Sequence, residues 1–169
     1  MDAELRRERI LSTLSESEQP IVARKLAEMY KVSRQVIVGD IALLRAEGQE
    51  ILSTPRGYTK RNEQPVLKKR IVCQHHYEQT QEELYTVVDY GGQIIDVIVE
   101  HPIYGELIGG LNISSRLEAD DFLQEIQKNK TTMLADLTNG LHSHTISAKD
   151  EATIEKIIAT LEHKKILYK

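Results

Sequence analysis

The chain is poor in cysteine and in aromatic side chains, and it has no long hydrophobic run. It contains one cysteine among 169 residues, which excludes an internal disulfide and the class of disulfide-rich secreted domains. Tryptophan is absent and phenylalanine occurs once, so any core is built mainly from Val, Ile and Leu. No stretch approaches the roughly 18 consecutive apolar residues that a membrane helix needs. We therefore expect a cytoplasmic globular protein that does not bind membranes.

The charge is divided unevenly along the chain. The net charge of −4 by itself disfavours nucleic acid as a partner. Residues 24–61, however, hold eight Lys and Arg against four Asp and Glu, whereas residues 65–169 hold eleven against sixteen. With the polar linker at residues 62–65, this division predicts two domains, residues 1–62 and residues 66–169. Only the first of them suits a phosphate backbone.

Apolar residues at helical spacing predict three helices in the first domain. The second helix runs from about Ile21 to Tyr30, and Ser33 has the position and chemistry of an N-cap for a third helix that ends at Gly48. Two helices joined by a turn of about three residues are typical of a helix-turn-helix.

The segment 26–41 resembles the helix-turn-helix of many small bacterial repressors, whose third helix begins with a serine-arginine-glutamine run. This resemblance implies that Ser33, Arg34 and Gln35 face the major groove, where Arg reads guanine and Gln reads adenine. A small module of three helices that binds proteins is the alternative.

Residues 51–61 predict two strands joined by a Pro-Arg-Gly turn, which together form the wing of a winged helix. We expect Arg56 at the tip of this wing, and Lys60 and Arg61 at its base, to contact phosphates or a minor groove. A solvated hairpin without a role in DNA binding is the alternative.

The second domain predicts the order βαββαβα. Its strands are placed at residues 67–74, 94–99, 106–113 and 141–147, and its helices at residues 77–90, 115–128 and 150–163. An α+β fold, in which helices cover one face of an antiparallel sheet as an open-faced sandwich, satisfies this order with short connections. Such a sheet is a common platform for forming a homodimer.

Two histidines, His142 and His144, lie two residues apart in a segment that alternates polar and apolar residues. A strand of period two points both imidazoles to the same face, and two neutral imidazoles are half of a metal site. Histidines on a solvated strand face are the alternative. The candidates for the other half are His75, His76, Glu82 and Glu83, where a histidine pair lies seven or eight residues before a carboxylate pair.

These features together resemble a known family over nearly the full length of the chain. A helix-turn-helix followed by His75, Glu83, the turn 101–105 and the run 142–146 is similar to the bacterial niacin-responsive repressors that carry the three-histidine domain. The resemblance implies nicotinic acid or nicotinamide as co-repressor and genes of NAD synthesis or niacin uptake as targets. It also implies a divalent metal bound by His75, Glu83, His142 and His144, with His76 and Glu82 as the second choice. Three imidazoles and a carboxylate suit a divalent transition metal such as Zn, Ni, Fe or Mn.

No motif identifies the residues that hold the niacin, and three side chains are candidates. His101 lies in a turn before Pro102, where it either contacts the ligand or hydrogen-bonds the turn backbone. Tyr104 is either a core aromatic residue or a stacking partner for a pyridine ring. Arg116, at the start of a helix, is a candidate partner for the carboxylate of the ligand.

Three classes of function fit this pattern. The first is a niacin-sensing repressor, the second a regulator that senses the metal itself, and the third an enzyme in which the metal activates water. The enzyme is disfavoured because Glu83 serves as a ligand and no second carboxylate or nucleophile converges on the site. We therefore predict a repressor without enzymatic activity that binds a palindromic operator as a homodimer.

Overall fold

The structure, a computed structural model, describes residues 1–60, 66–129 and 133–169. The chain divides into two compact units, residues 1–63 and residues 64–169, and each is described by itself. The predicted linker, residues 62–65, and residue 61 at the base of the predicted wing lie outside the described residues. Within the described ranges, no helix has both the length and the apolar character needed to span a bilayer.

The first unit consists of three helices and a hairpin, as predicted. Its elements are α1 (Ala3–Glu16), α2 (Ala23–Tyr30), α3 (Arg34–Ala46), β1 (Ile51–Thr54) and β2 (Gly57–Lys60). The aliphatic residues at helical spacing form its core, in which Ile10, Leu26 and Ile37 are fully buried.

The turn between α2 and α3 spans residues 31–33. Lys31 adopts the left-handed conformation with φ of 54° and donates its N–H to carbonyl oxygens of α2, which ends that helix. The Ser33 side chain accepts the N–H of Val36 at 3.2 Å and caps α3. The predicted N-cap and turn length are therefore confirmed.

The hairpin is attached to the rest of the unit by backbone contacts. Ile21 and Tyr58 exchange two backbone hydrogen bonds of 2.9 and 2.8 Å. Gly57 has φ of 122°, and a Cβ at this position would lie 2.3 Å from the carbonyl carbon of Ile21. Only glycine fits this close approach. Arg45 of α3 also donates two hydrogen bonds to the carbonyl oxygen of Ile51, at 3.0 and 2.8 Å.

A buried ion pair connects α1 with α3. Asp40 is 3% exposed and accepts hydrogen bonds from Nε and Nη2 of Arg6 at 2.6 and 3.1 Å. The guanidinium of Arg7 lies 3.9 Å from the same carboxylate. Because an unpaired charge is costly to bury, this bidentate contact fixes the position of α3 relative to α1.

The second unit has the predicted order βαββαβα and is an α+β fold. Its elements are β3 (Leu67–Gln74), α4 (Thr80–Asp89), β4 (Gln93–His101), β5 (Gly105–Ile113), α5 (Arg116–Asn129), β6 (Leu141–Ala148) and α6 (Glu151–His163). Two short 3-10 helices, Tyr77–Gln79 and Leu134–Thr138, precede α4 and β6. The second of these was not expected from the sequence.

The sheet is antiparallel, with strand order β3-β6-β4-β5. Aliphatic residues of α4, α5 and α6 form one core with alternate residues of the strands, including Ile71, Ile94 and Ile146. The side chains of Val72 and Ile108, on the other side of the strands, are exposed. The helices therefore cover one face of the sheet, and the predicted open-faced arrangement is confirmed.

The ion pair in the first unit leads to a prediction about stability. We expect Asp40→Ala to destabilise this unit by about 3 kcal/mol, because Arg6 then loses its partner in a largely buried position. The matched control is Glu28→Ala, which removes an exposed ion pair with Arg24 and costs less than about 1 kcal/mol. Hydrogen exchange of the amides in α1 and α3 measures both effects. Equal protection in the two variants would contradict the role of the buried pair.

Candidate metal centre

Three imidazoles from the sheet converge on one carboxylate from α4. Nε2 of His142 lies 3.1 Å from Glu83 Oε2, and Nε2 of His144 lies 2.8 Å from Glu83 Oε1. Nε2 of His75 also contacts Glu83 Oε2. All four side chains are at most 4% exposed. The structure thus brings together the four predicted metal ligands, and it does so in the interior of the unit.

The second-choice pair, His76 with Glu82, is not part of this cluster. His76 follows the end of β3 and is exposed. Glu82 is also exposed, and its carboxylate lies 3.6 Å from Nζ of Lys164. The alternation of buried and exposed residues along β3 continues through the two histidines that follow it, so that His75 is buried and His76 is exposed.

Each imidazole is oriented by a main-chain carbonyl oxygen that contacts its Nδ1 atom. A carbonyl oxygen can only accept, so Nδ1 carries a proton and the neutral ring presents the lone pair of Nε2 toward the carboxylate. Metal-binding histidines in proteins commonly have this arrangement. The ring and carbonyl pairs are His75 with His76 (2.8 Å), His142 with Gly140 (2.8 Å) and His144 with Asp96 (2.7 Å).

The carbonyl oxygen of Gly140 has two partners in the site. It accepts the backbone N–H of His75 at 3.1 Å as well as the Nδ1–H of His142. Gly140 has φ of 83°, and a Cβ on it would lie 2.5 Å from the carbonyl oxygen of His75. Glycine is therefore required for the chain to turn into β6 this close to the end of β3.

An irregularity in the sheet supplies the carbonyl oxygen for His144. The register of β4 shifts between Ile94 and Ile98 where it pairs with β6. At this point the carbonyl oxygen of Asp96 faces the imidazole of His144. The Asp96 carboxylate accepts the backbone N–H and the hydroxyl of Thr145, at 2.8 and 2.9 Å. The side chain of Asp96 thus hydrogen-bonds β6 where the strand pairing is irregular, and the main-chain carbonyl of Asp96 is directed at the site.

Electrostatic interactions within the cluster favour the ionised carboxylate of Glu83 and the protonated rings of His75 and His144. Burial opposes the charged form of His75 and of His144, but hydrogen bonds to Glu83 and its negative charge outweigh burial and raise the pKa of both histidines. Burial also opposes ionisation of Glu83. The charge of His144 and hydrogen bonds from the three rings nevertheless hold the pKa of Glu83 well below its usual value.

The chemistry of these donors fits a divalent transition metal. When the rings are neutral, three Nε2 lone pairs face a carboxylate, and these groups repel one another unless protons or a cation lie between them. Three added protons would leave an excess of buried positive charge around Glu83. A divalent ion removes the conflict, and imidazole nitrogen with carboxylate oxygen is a donor set that such metals prefer.

Cys73 lies beside this cluster. It is fully buried, as its strand position predicts. Its Sγ atom, a carboxylate oxygen of Glu83 and a ring nitrogen of His142 all lie within 4.8 Å of one another. Burial, together with the charge and hydrogen bonding of Glu83, raises the pKa of the thiol far above its usual value. Without a metal the side chain is therefore a neutral thiol.

A cavity of about 260 Å³ opens onto the four predicted ligands. Its remaining walls are mainly aliphatic and aromatic, with the Thr80 hydroxyl as a further polar group. None of the described residues that line it is Lys or Arg. The apolar side chains of its wall are Leu84, Val97, Leu111, Phe122, Ile126, Met133, Leu134 and Ala135.

The three predicted niacin contacts do not line this cavity. His101 Nδ1 accepts the backbone N–H groups of Ile103 and Tyr104, at 3.1 and 3.3 Å, in the turn after β4. Tyr104 is 73% exposed at this turn. Arg116 binds the carboxylate of Asp89 through two hydrogen bonds of 2.8 and 2.6 Å. None of the three therefore contacts the four predicted ligands in this structure.

The predicted DNA contacts lie on α3 and on the hairpin. Arg34 and Gln35 are exposed in the first turn of α3. Ser33 is exposed as well, but its hydroxyl oxygen is used for the helix cap. Arg56 and Lys60 are half-buried, in the hairpin turn and at the end of β2. This arrangement places the predicted reading residues at the exposed start of the third helix.

Comparison with known proteins supports both units. A helix-turn-helix domain family matches residues 6–59, and the 3H domain family matches residues 68–169. The chain is 44% identical to the probable transcription repressor NiaR of Thermotoga maritima over 158 residues, which are 94% of this chain and 90% of that protein. It is 39% identical to the transcription repressor NadR of Bacillus subtilis over 168 residues, 97% of this chain and 93% of that one.

Both relatives are named as repressors and neither as an enzyme, which agrees with the prediction that this chain is not an enzyme. The similarity extends through both units rather than through the helix-turn-helix alone. The chain belongs to the 3H-domain family of helix-turn-helix transcription repressors.

Proposed function

We propose that this repressor senses nicotinic acid through a metal ion in its second domain. In this proposal residues 1–62 bind operator DNA as half of a homodimer, and residues 66–169 hold the metal and the co-repressor. The observation that carries the proposal is the apolar cavity that ends at three oriented imidazoles and a carboxylate. A cavity of this kind suits a small aromatic ring with one polar group that binds the metal.

The metal would be held by the Nε2 atoms of His75, His142 and His144 and by the carboxylate of Glu83. Bound there, it supplies a Lewis-acidic centre for the polar group of a ligand. The carbonyl oxygens that fix the Nδ1 protons keep the rings ready to bind. Because the imidazoles must be free of protons at Nε2, metal binding competes with protonation.

This competition predicts opposite pH trends with and without metal. Because His75 and His144 have raised pKa values in the folded state, their protonation stabilises the metal-free fold below about pH 6.5. This stabilisation is lost as the pH rises through the pKa values of the two histidines in the folded state. The lowered pKa of Glu83 contributes above about pH 4.5 and is lost as the pH falls further. Chelated protein should therefore become less stable as the pH rises above about 6.5, while metal affinity rises.

Thermal unfolding with chelator and with saturating Zn²⁺ across this range measures both trends. His144→Ala should weaken metal binding by at least about tenfold and flatten both trends. His76→Ala, a change at the exposed neighbouring histidine, is the matched control and should keep them. Parallel pH trends with and without metal would count against the site.

The ring of the ligand is proposed to fill the apolar part of the cavity, with its polar group at the metal. The described lining residues offer no cation for a free carboxylate, and Arg116 is engaged with Asp89. The proposal that Arg116 holds the carboxylate is therefore replaced by one in which the metal does so. Thr80 adds a hydroxyl that at present lies 3.9 Å from the sulfur of Met133, a weak partner that a ligand oxygen can displace.

The test is operator affinity measured against nicotinic acid, with metal alone, ligand alone and both. We expect tight binding only with both. Gly109→Leu should abolish the ligand response and keep the metal, because a Cβ at Gly109 already lies 3.2 Å from Leu134 and a larger side chain fills the cavity. Ile108→Ala, with its side chain exposed on the other side of β5, is the control.

Two other outcomes would change the proposed function. Full operator binding with metal alone would favour the second candidate, a regulator that senses the metal, which the same four ligands serve. A response to nicotinic acid that survives in His144→Ala would separate the ligand site from the metal. Nicotinamide, run in parallel, tells whether the charge of the carboxylate matters.

DNA binding is assigned to α3 and to the hairpin of the first domain. Arg34 and Gln35 are exposed at the start of α3, where a helix in the major groove contacts base edges. This helix exposes few basic residues, so one copy has limited contact with phosphates. Two copies on a palindrome, joined as a homodimer through the second domain, would supply the missing affinity.

Substitution of Arg34 and of Arg56 distinguishes contacts with base edges from contacts with phosphates. Arg34→Ala should weaken operator binding by about 1 to 3 kcal/mol, with little effect on unrelated DNA, if the guanidinium contacts a guanine. Arg56→Ala should weaken binding to all DNA sequences. It should also reduce the slope of log affinity against log salt concentration by about the value for one phosphate contact. Fluorescence anisotropy at several salt concentrations measures both. Unchanged operator affinity in Arg34→Ala would refute the reading role.

A further inference from the structure

A sulfur atom lies next to the four proposed metal ligands. Cys73 is in β3, two residues before His75, which directly follows that strand and is also buried. In the sheet it pairs directly with His142 of β6. Its side chain is fully buried. The fold thus holds the thiol beside two of the imidazoles, on the side of the sheet that α4 covers.

The contact with the cluster is close. Sγ of Cys73, a carboxylate oxygen of Glu83 and a ring nitrogen of His142 all lie within 4.8 Å of one another. One metal ion with bonds of about 2.0 to 2.3 Å can bridge donor atoms at such separations, with small side-chain movements. Cys73 does not line the cavity, whereas His142 and Glu83 do. The sulfur therefore approaches the cluster from the protein interior.

We propose that Cys73 is a further ligand of the metal, bound through its sulfur on the side away from the cavity. This inference rests on the metal site of the proposed function. On binding, the S–H bond breaks, a metal–sulfur bond forms, and the proton is released to the solvent. The ligand set becomes three imidazoles, one carboxylate and one thiolate. A six-coordinate ion held by these five donors would keep one position for the co-repressor.

A thiolate in the set changes which metals the site prefers. Imidazole and carboxylate alone serve manganese and iron as well as nickel and zinc, whereas a soft sulfur donor favours the thiophilic ions. The protein should therefore discriminate more strongly against Mn²⁺ than a site with only the four other ligands. Cys73→Ser should lose at least about tenfold in affinity for Zn²⁺ or Ni²⁺ and less for Mn²⁺.

Titration of the full chain with Co²⁺ tests the proposal directly. Cobalt bound to thiolate has an intense charge-transfer absorption in the near ultraviolet, besides weaker visible bands that report any bound cobalt. Because the chain has one cysteine, a sulfur band from a one-to-one complex comes from Cys73. We expect it in the wild type and in Val72→Ala, a change at the exposed neighbouring residue, and not in Cys73→Ser.

The outcomes are distinct. Visible cobalt bands without the sulfur band in the wild type would overturn the role of Cys73 and leave the four-ligand site standing. No cobalt bands at all would overturn the metal site and this inference together. A sulfur band that persists in Cys73→Ser would show that it does not arise from this thiol, and would also refute the proposal. The wild-type spectrum alone decides the question if Cys73→Ser fails to fold.

Discussion

The buried carboxylate of Glu83 sets the main constraint on the second unit. It is 1% exposed and contacts three imidazoles, two of which have raised pKa values. A carboxylate in this position needs positive charge close by, since it has lost its hydration. The placement of α4 over the sheet and the alternation of β6 both serve to bring that charge to it. Protons and a divalent metal are the two ways in which the cluster can be neutralised.

Backbone geometry turns this cluster of side chains into a set of oriented donors. The carbonyl oxygens of Gly140 and Asp96 determine which ring nitrogen of His142 and of His144 carries the proton. Gly140 requires a positive φ, and Asp96 lies where the pairing of β4 with β6 is irregular. Two deviations from regular structure therefore occur at the site and have the same effect, which is to expose Nε2 toward Glu83.

Local patterns were predictable from the sequence, and distant contacts were not. The cap at Ser33, the shared face of His142 and His144, and the order of strands and helices follow from spacing over a few residues. The pairing of Arg6 with Asp40 joins positions 34 residues apart, and the ring of His144 meets a carbonyl 48 residues away. The prediction for Arg116 did not include Asp89, 27 residues earlier, whose carboxylate accepts hydrogen bonds from the guanidinium.

The burial of the donors separates the roles of metal and ligand in the proposed mechanism. The four proposed ligands are at most 4% exposed. An ion bound there would leave only after its bonds to all four of them break, whereas a small molecule is held to the ion by one polar group. The cavity gives a small molecule access to the other side of the ion. A ligand shifts a conformational equilibrium only by its difference in affinity for the two states. In the proposed mechanism the metal contributes structure, whereas the ligand that exchanges through the cavity carries the signal. This division favours the niacin sensor over the metal sensor.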